Sequence, residues 1–390
     1  MCLIGRAYLQ STLAHRPGDW NTGHPWHQLK MKKLRQLLSG SVRDRSESVE
    51  RKDNDTEPTA EDGTPTKLCS ECGKKSNSLK KCTACKCVWY CDKECQNKHR
   101  KEHKHECRPI KKELDKRGGK LNLGTEVDIG PLGIVPPRED CPICMRALPL
   151  HSMLHTYAAC CSKTVCSGCN FQHGMRNREA NAKRAQREPP LPPLPLTCAF
   201  CRTAAPASEE ETLLHLRKTV ERKDPNALFH MAIQYGYGHL GLPVDQAKCV
   251  DLMRQSAGLG SPDAQFQLGM YYDNGLMGLE QNEEKGTQYY KEASEGGHAL
   301  ARYNLGLSEV MSGDDVAAMR HWRLSASGGY RTSIDSLISC FMDGVLHHGD
   351  LADTLQAFYL ARAEMKSDDR DQYIGHLKMT GEYDADCEKC

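Results

Sequence analysis

The stretch that decides the N-terminal fold runs from Cys69 to Cys107, CSECGKKSNSLKKCTACKCVWYCDKECQNKHRKEHKHEC. Its candidate ligands form four pairs along the chain: Cys69 and Cys72, Cys82 and Cys85, Cys91 and Cys95, His103 and Cys107. A short Cys-x-x-Cys turn directs two thiolates at one metal, and structural Zn²⁺ takes four nitrogen or sulfur ligands. Eight ligands therefore predict two closed tetrahedral sites. Because the stretch is short and polar, metal binding must supply its folding free energy.

This stretch resembles a MYND-type zinc finger. The resemblance rests on Val88-Trp89-Tyr90-Cys91, on Cys91-x3-Cys95-Gln96 and on His103-x3-Cys107. It implies peptide recognition and an interleaved pairing, in which the first and third pairs share one zinc ion and the second and fourth pairs share the other. The implied ligand sets are Cys69, Cys72, Cys91 and Cys95 for one ion, and Cys82, Cys85, His103 and Cys107 for the other.

Three further side chains in this stretch are of a type that binds zinc. His99 and His105 are alternatives to His103, which we favour because only His103 has the matching distances from Gln96 and Cys107. Cys87 is an eighth thiol that falls outside the pairs. We expect it to be a spare cysteine, buried or on the surface.

A second cysteine cluster lies within CPIC, AACCSKTVCSGC and CAFC. It again offers eight ligands in four pairs. An interleaved arrangement places Cys141, Cys144, Cys166 and Cys169 on one zinc ion, and Cys160, Cys161, Cys198 and Cys201 on the other. About four structural zinc ions per chain are therefore predicted.

This second cluster resembles a RING-type finger over about 60 residues. Ile143 and Arg202 match the positions at which RING ubiquitin ligases contact the ubiquitin-conjugating enzyme and its ubiquitin. However, Lys163 stands where the family usually has a ligating histidine, so that Cys160 beside Cys161 would complete the site. Ala199 replaces the usual proline of the last pair. The resemblance implies a zinc fold and leaves ligase activity open.

An insert, RNREANAKRAQREPPLPPLPL, separates the third and fourth pairs of the second cluster. It predicts a polar helix over Arg176 to Glu188 and a polyproline II rod over Pro189 to Pro195. Arg187, Pro190 and Pro193 satisfy the Arg-x-x-Pro-x-x-Pro pattern of SH3 ligands. A stiff spacer inside a zinc loop is the alternative, and the sequence alone favours it.

The C-terminal half repeats itself with a period of 37 residues. ALFHMAIQYGYG from Ala227, AQFQLGMYYDNG from Ala264 and ARYNLGLSEVMSG from Ala301 align in one register. Each unit predicts a helical hairpin, and stacked hairpins form an α-solenoid with a concave binding surface. The pattern resembles SEL-one-like repeats, relatives of the tetratricopeptide family, over residues 224–366. A degenerate fourth unit would cap the stack.

The composition limits the choice of cellular compartment and of partner class. Sixteen of the 21 cysteines fall in the two clusters, so we expect reduced zinc ligands and a cytoplasmic or nuclear protein. The formal charge of +2 and the absence of interleaved stacking aromatics in the basic stretch 67–120 argue against nucleic acid as a partner. No apolar run approaches the length of a membrane span. The first 18 residues carry Arg6 and Arg16 without an acid, so a mitochondrial presequence is an alternative to a plain linker there.

The predicted fold class is multidomain, with two small zinc-stabilised modules followed by an all-α helical-repeat solenoid. The predicted boundaries are 1–66 for a disordered segment or linker, 67–110 for the MYND-type finger, 138–204 for the RING-like finger, 208–376 for the solenoid and 377–390 for a tail. No catalytic constellation emerges, and nothing resembles the methyltransferase halves that can accompany a MYND module. The leading hypothesis is a protein-interaction adaptor or scaffold that binds proteins or peptides. The competing hypothesis is a RING-type ubiquitin ligase whose solenoid recruits substrate.

Overall fold

The computed structural model describes residues 67–76, 78–133 and 138–383. The predicted N-terminal linker or presequence and the last seven residues lie outside this part. The described residues are mostly helical and contain two short antiparallel hairpins. The strands are β1 (Lys80–Lys81), β2 (Trp89–Tyr90), β3 (His155–Ala158) and β4 (Lys163–Cys166).

Twelve α-helices follow one another in the described part of the chain, as expected for a solenoid behind two zinc-finger-like modules. They are α1 (Lys93–Lys116), α2 (Ser167–Ala185), α3 (Glu209–Glu221), α4 (Pro225–Tyr237), α5 (Gln246–Gly258), α6 (Pro262–Asn274), α7 (Glu283–Glu295), α8 (Ala299–Ser312), α9 (Asp315–Ser327), α10 (Arg331–Met342), α11 (His348–Glu364) and α12 (Asp368–Thr380).

The chain divides into two compact units that do not follow the sequence order. In the described part, the first-finger unit comprises residues 67–133 and 302–364. The second-finger unit comprises residues 138–301 and 365–383. Each zinc-ligand cluster is therefore grouped with helices from the C-terminal half of the chain.

In the first-finger unit, α1 connects the finger to the later helices. It begins where the Asp92 carboxylate accepts a hydrogen bond from the Cys95 N–H at 2.8 Å, an N-cap contact. Its buried face continues past the last zinc ligand through Ile110 and Leu114, and packs against α10. Arg117, just after the helix, stacks on the Phe341 ring at 4.3 Å.

The segment that follows α1 is hydrogen-bonded to the C-terminal part of the same unit. The Val127 N–H donates to the Val345 carbonyl at 2.9 Å, and the Thr125 hydroxyl donates to the Gly344 carbonyl at 2.7 Å. Arg323 donates to the Gly130 carbonyl at 2.7 Å. The connection after the first finger is thus an ordered part of this unit.

In the second-finger unit, β3 and β4 pair from His155 with Cys166 to Ala158 with Lys163. Helix α2 starts directly after Cys166, nine residues before the helix predicted at Arg176, because a ligand pair occupies its first turn. It packs against α12, which runs to Thr380 and so extends into the predicted tail.

The helical hairpins of this unit repeat their caps with the same 37-residue period as the sequence. Asp224 and Ser261 cap the first helices of two successive hairpins, and Asp245 and Asn282 cap the second helices. The first helices end at glycines with left-handed backbone, Gly238 (φ +69°) and Gly275 (φ +65°).

Small residues allow close helix packing within these hairpins. At Gly269 an added Cβ would lie 2.6 Å from the Tyr290 ring, so only glycine fits there. Two cysteines outside the clusters, Cys249 and Cys340, are buried.

Candidate metal centres

The first finger holds two groups of ligand atoms, each with all members within 4.8 Å of one another. One group is Cys69, Cys72, Cys91 and Cys95. Its first turn is closed by a hydrogen bond from the Gly73 N–H to the Cys69 carbonyl at 2.9 Å, and its second pair sits at the start of α1. The Sγ atoms of Cys72 and Cys91 are 3.5 Å apart. The structure thus brings the first and third pairs together.

The other group is Cys82, Cys85, His103 and Cys107. His103 Nε2 lies 3.2 Å from Cys85 Sγ, and the Sγ atoms of Cys82 and Cys107 are 3.8 Å apart. The alternative histidines lie elsewhere: His99 Nδ1 is 2.9 Å from the Tyr90 hydroxyl, and His105 is exposed. Among the three histidines, only His103 is brought to these thiols.

A buried chain of hydrogen-bonded polar groups contacts the Nδ1 side of His103. The Tyr359 hydroxyl of α11 donates to Glu106 Oε2 at 2.8 Å and lies 3.3 Å from His103 Nδ1. Glu106 is also ion-paired with Arg331. Because the Tyr359 proton goes to Glu106, its oxygen is free to accept the Nδ1–H of His103. This contact selects the tautomer whose Nε2 lone pair points at the thiols, as a metal-ligating histidine requires.

The eighth thiol of this finger, Cys87, is buried and belongs to neither group. Its Sγ lies 3.3 Å from Nε2 of His348 on α11, and the same nitrogen is 2.8 Å from the Cys85 carbonyl oxygen. His348 therefore orients the backbone of a ligand turn, while Cys87 fills space beside it.

The second finger also holds two groups of four thiols within 4.8 Å. They are Cys141, Cys144, Cys166 and Cys169, and Cys160, Cys161, Cys198 and Cys201. Two of the three Cys-x-x-Cys turns are closed by backbone hydrogen bonds, from Met145 to Cys141 at 2.8 Å and from Arg202 to Cys198 at 3.1 Å.

Adjacent Cys160 and Cys161 both face the last pair. They lie in the turn between β3 and β4, where Ser162 adopts a left-handed backbone (φ +57°). Cys160 Sγ is 3.4 Å from Cys201 Sγ, and Cys161 Sγ is 4.0 Å from Cys198 Sγ. A tight turn thus lets two neighbouring residues point at one site.

A buried arginine from α12 covers the first group of the second finger. Arg370 Nη2 lies 3.5 Å from Cys144 Sγ, and Arg370 Nη1 donates to the Ala147 carbonyl at 2.7 Å. Zinc with four thiolates carries a net charge of −2, so a buried guanidinium beside it offsets part of that charge.

Some thiols in these groups resist ionisation by themselves, whereas others do not: a hydrogen bond with Cys166 lowers the pKa of Cys141 to about 4. Burial, followed by the negative charge of Cys198, raises the pKa of Cys161 to about 11. Burial raises the pKa of Cys169 to about 12. A divalent cation bound by four thiols offsets the free energy needed to ionise them, since coordination deprotonates thiols outright. The donor sets, all sulfur or imidazole nitrogen, fit zinc.

The two residues expected to contact a ubiquitin-conjugating enzyme have different surroundings. Ile143 is 40% exposed beside the first ligand turn. The Arg202 guanidinium instead donates to His173 Nδ1 at 2.7 Å, and His173 Nε2 lies 3.0 Å from the Thr197 carbonyl oxygen. Arg202 is thus held against α2.

Sequence reasoning missed the supporting residues Tyr359, His348 and Arg370. Each lies more than 220 residues from the ligand region that it contacts. Nothing in the repeat pattern marks them.

Comparisons with known proteins identify two of the modules. Residues 69–107 match the family model of the MYND finger. Residues 225–261, 262–298 and 299–330 match the Sel1 repeat. The MYND finger binds zinc, and the four tetrads described above could hold it.

One curated relative is a histone-lysine N-methyltransferase, ASHR1, from Arabidopsis thaliana. It is 48% identical over 44 residues, which are 11% of this chain and 9% of the methyltransferase. The chain thus matches less than a tenth of that relative's length.

Two solved structures resemble parts of the chain. One is a Sel1 repeat protein from Oxalobacter formigenes, with 27% identity and a TM-score of 0.30, which covers 32% of this chain and 96% of its own. The other is c5321, a protective antigen of uropathogenic Escherichia coli with an SLR fold. It shows 23% identity and a TM-score of 0.33, and covers 43% of this chain and 36% of its own.

Within residues 67–383, as far as they are described, no helix combines the length and the low polarity needed to cross a bilayer.

Proposed function

We propose that this chain is a zinc-dependent protein-interaction adaptor, in which the MYND finger and the Sel1 repeats hold different protein partners. The observation that carries this proposal is the presence of both modules in one chain. Each module is typically a protein-binding module, and an α-solenoid offers an extended surface for a partner. Joining two such modules brings their partners together at high effective concentration.

Zinc has a structural role in this proposal. Each candidate centre has four cysteine or histidine ligands, and a catalytic zinc needs a position left open for water or substrate. Bound zinc would supply folding free energy to the fingers. Thiolate ligands need a reducing environment, so the expected compartment is the cytoplasm or the nucleus.

The surface around Trp89 suits a peptide partner for the MYND finger. Trp89 is half-buried, whereas Tyr90 beside it is buried. The Nζ atoms of Lys67 and Lys81 lie 4.4 and 4.6 Å from its ring centroid. An aromatic surface bordered by positive charge favours a proline-rich or apolar peptide that carries acidic residues.

The second finger is proposed to be RING-like in its pairing, with a structural role. The ligase hypothesis has weaker support, because Arg202 is engaged with His173 and Lys163 replaces the usual histidine ligand. Single-turnover discharge of ubiquitin from charged conjugating enzymes separates the two hypotheses. The adaptor proposal expects no acceleration by the chain, whereas acceleration that Ile143→Ala abolishes would favour a ligase.

The adaptor proposal is tested by quantitative affinity capture with variants at two surfaces. Trp89→Ala alters the finger surface. Val244→Asp combined with Leu259→Asp alters exposed apolar side chains of the first Sel1 repeat, which are 63% and 50% exposed. Met379→Asp, at an 82% exposed residue outside the matched modules, is the control.

An adaptor predicts two partner groups, one lost with each surface variant, and a complex that contains both partners on the unaltered chain. Partners that bind equally well to every variant would contradict the proposal. Zinc content and circular dichroism of each variant show whether the fold is retained.

A further inference from the structure

We propose that residues 189–196 form a docking ligand for an SH3-type domain of another protein, displayed on helix α2 as a prearranged rod. This site goes beyond the finger and repeat surfaces of the proposed function. Its sequence is PPLPPLPL, and it follows a cis peptide bond between Glu188 and Pro189. Proline rings fix φ, and a residue before proline is driven to extended backbone, so this composition dictates a polyproline II rod.

A polyproline II helix has three residues per turn, so residues three apart share an edge. One edge carries Pro189 and Pro192, the next carries Pro190 and Pro193, and the third carries the leucines Leu191 and Leu194. Those four prolines are exposed, whereas on the third edge Leu191 is half-buried and Leu194 is 42% exposed. The leucine edge meets helix α2 through the backbone N–H groups of its two leucines.

Helix α2 holds the rod by its backbone. The Leu191 N–H donates to the Arg184 carbonyl at 3.1 Å. The Leu194 N–H donates to Asn181 Oδ1 at 2.6 Å, and Asn181 Nδ2 donates back to the Leu194 carbonyl at 3.1 Å. Asn181 thus satisfies both backbone groups of one leucine. Prolines have no N–H, so only the leucine edge offers donors to such a clamp.

The clamp is a stripe of side chains at helical spacing. Asn177, Asn181 and Arg184 are half-buried and lie on one face of α2. Asn177 Nδ2 donates to the Pro195 carbonyl at 3.1 Å, and Arg184 Nε donates to the Pro192 carbonyl at 2.7 Å. A stripe that pairs four backbone groups of the rod fixes its conformation and its orientation.

The exposed edges are those that an SH3 domain uses. Its aromatic groove takes two x-Pro pairs of a polyproline II ligand, which here are Pro189-Pro190 and Pro192-Pro193. A basic residue three positions before the first core proline matches the acidic side chains that border such grooves. Arg187 occupies that position and is exposed. A stiff spacer would not require exposed proline edges or an exposed arginine beside them.

Isothermal titration of the intact, zinc-loaded chain tests this inference. The probes are a set of purified SH3 domains and, for comparison, a set of WW domains. We expect one-to-one binding by SH3 domains, with affinity at least about tenfold weaker for Pro190→Ala, Pro193→Ala or Arg187→Ala. Pro195→Ala is the matched control, since it lies on the same rod outside the Arg-x-x-Pro-x-x-Pro pattern, and its affinity should change less than about threefold.

Two further measurements isolate the contribution of α2. A free peptide of residues 185–197 should bind several-fold more weakly than the intact chain, because the clamp removes conformational entropy before binding. Asn181→Ala should lower the affinity of the intact chain toward that of the peptide.

The inference is overturned if no SH3 domain of the set binds, if only WW domains bind, or if Pro190→Ala and Pro193→Ala have no effect. Tighter binding by Asn181→Ala would also overturn it, since α2 would then mask the rod.

Discussion

At the scale of single residues, Tyr359 shows how a zinc ligand is prepared. His103 supplies one of four ligand atoms, but which of its nitrogens carries the proton depends on the hydroxyl 3.3 Å from Nδ1. That hydroxyl is itself oriented by buried Glu106. The ligand pattern in the sequence predicts His103, whereas its supporting groups depend on packing between distant segments and leave no pattern of their own.

Tyr359→Phe should therefore weaken zinc binding at the site containing His103. We expect zinc release to a chelator to become about tenfold faster, since loss of such a supporting hydrogen bond typically costs 10- to 100-fold in metal affinity. The measurement is the time course of release from the zinc-loaded chain. Tyr271→Phe, which removes a buried hydroxyl near Cys249 rather than near a tetrad, should leave the time course unchanged. Equal release rates for both variants would contradict this role of Tyr359.

His230 gives the second-finger unit a dependence on pH. Burial lowers its pKa to about 4, opposed by Asp263 and Asp224 and assisted by His155. The ring stacks on Tyr157 at 4.3 Å. An unfolded histidine, with a pKa near 6.5, binds more protons than the folded one between about pH 6.5 and 4, so stability is lost as the pH falls through that window.

We expect acidification from pH 7.5 to 5 to lower the free energy of unfolding by up to about 2 kcal/mol through His230. The measurement is urea unfolding at both pH values for the unaltered chain and for His230→Phe. Acid release of zinc affects both proteins alike, so the difference between their pH dependences isolates His230. Identical pH dependences would show that this histidine does not contribute.

At the scale of elements, the sequence predicts the repeat helices but not the position of α12, the helix that packs against α2. The 37-residue period predicts the hairpins α4–α5 and α6–α7, because the capping residues repeat with it. Helix α12 begins with Asp368 and Asp369 and has only two buried residues, Arg370 and Leu377. Such a polar helix lacks a hydrophobic stripe, so the sequence indicated a tail for its last turn. Its position depends on contact with α2.

That contact is tight at Gly168. A Cβ added there would lie 2.7 Å from the Arg370 nitrogen and 2.8 Å from the Arg370 Cα. Since the obstacle is backbone, Gly168→Ala should force the two helices apart and lower the free energy of unfolding by about 1 to 3 kcal/mol. Chemical denaturation of the zinc-loaded chain measures the change.

Gly174→Ala is the matched control on the same helix. Among the described residues, no atom other than those of its chain neighbours and the adjacent backbone of α2 lies within 4 Å of the position that the added methyl group would take. Alanine also favours helix by up to about 1 kcal/mol over glycine. We expect Gly174→Ala to be neutral or stabilising. Similar losses for both substitutions would argue that α2 tolerates no alanine for reasons unrelated to α12.

At the scale of the whole molecule, each finger is completed by helices from the far end of the chain. The first-finger unit takes residues 302–364, and the second-finger unit takes residues 365–383. The ligand spacing, the 37-residue repeat and the fold class all follow from local sequence. This grouping depends on contacts between residues more than 200 positions apart, which one sequence does not encode as a local pattern. The predicted boundaries of the domains stay predictions.

The grouping predicts that the two fingers depend on different parts of the C-terminal segment. The intact chain should carry four zinc ions by native mass spectrometry, one for each tetrad. A chain ending at Glu364 loses α12 and Arg370 but retains α11 with Tyr359 and His348. The zinc ion of the tetrad that contains Cys144 should therefore be released at least about tenfold faster, while the other three keep their rate.

A chain ending at Tyr383 retains α12 and should release all four ions at the original rate. Arg370→Lys and Arg370→Met separate charge from helix packing, because lysine keeps the positive charge near the Cys144 thiolate and methionine does not. If charge is what stabilises that zinc, release should be faster for Arg370→Met than for Arg370→Lys. Equal rates for all four ions in the chain ending at Glu364 would show that the second finger holds its zinc without α12.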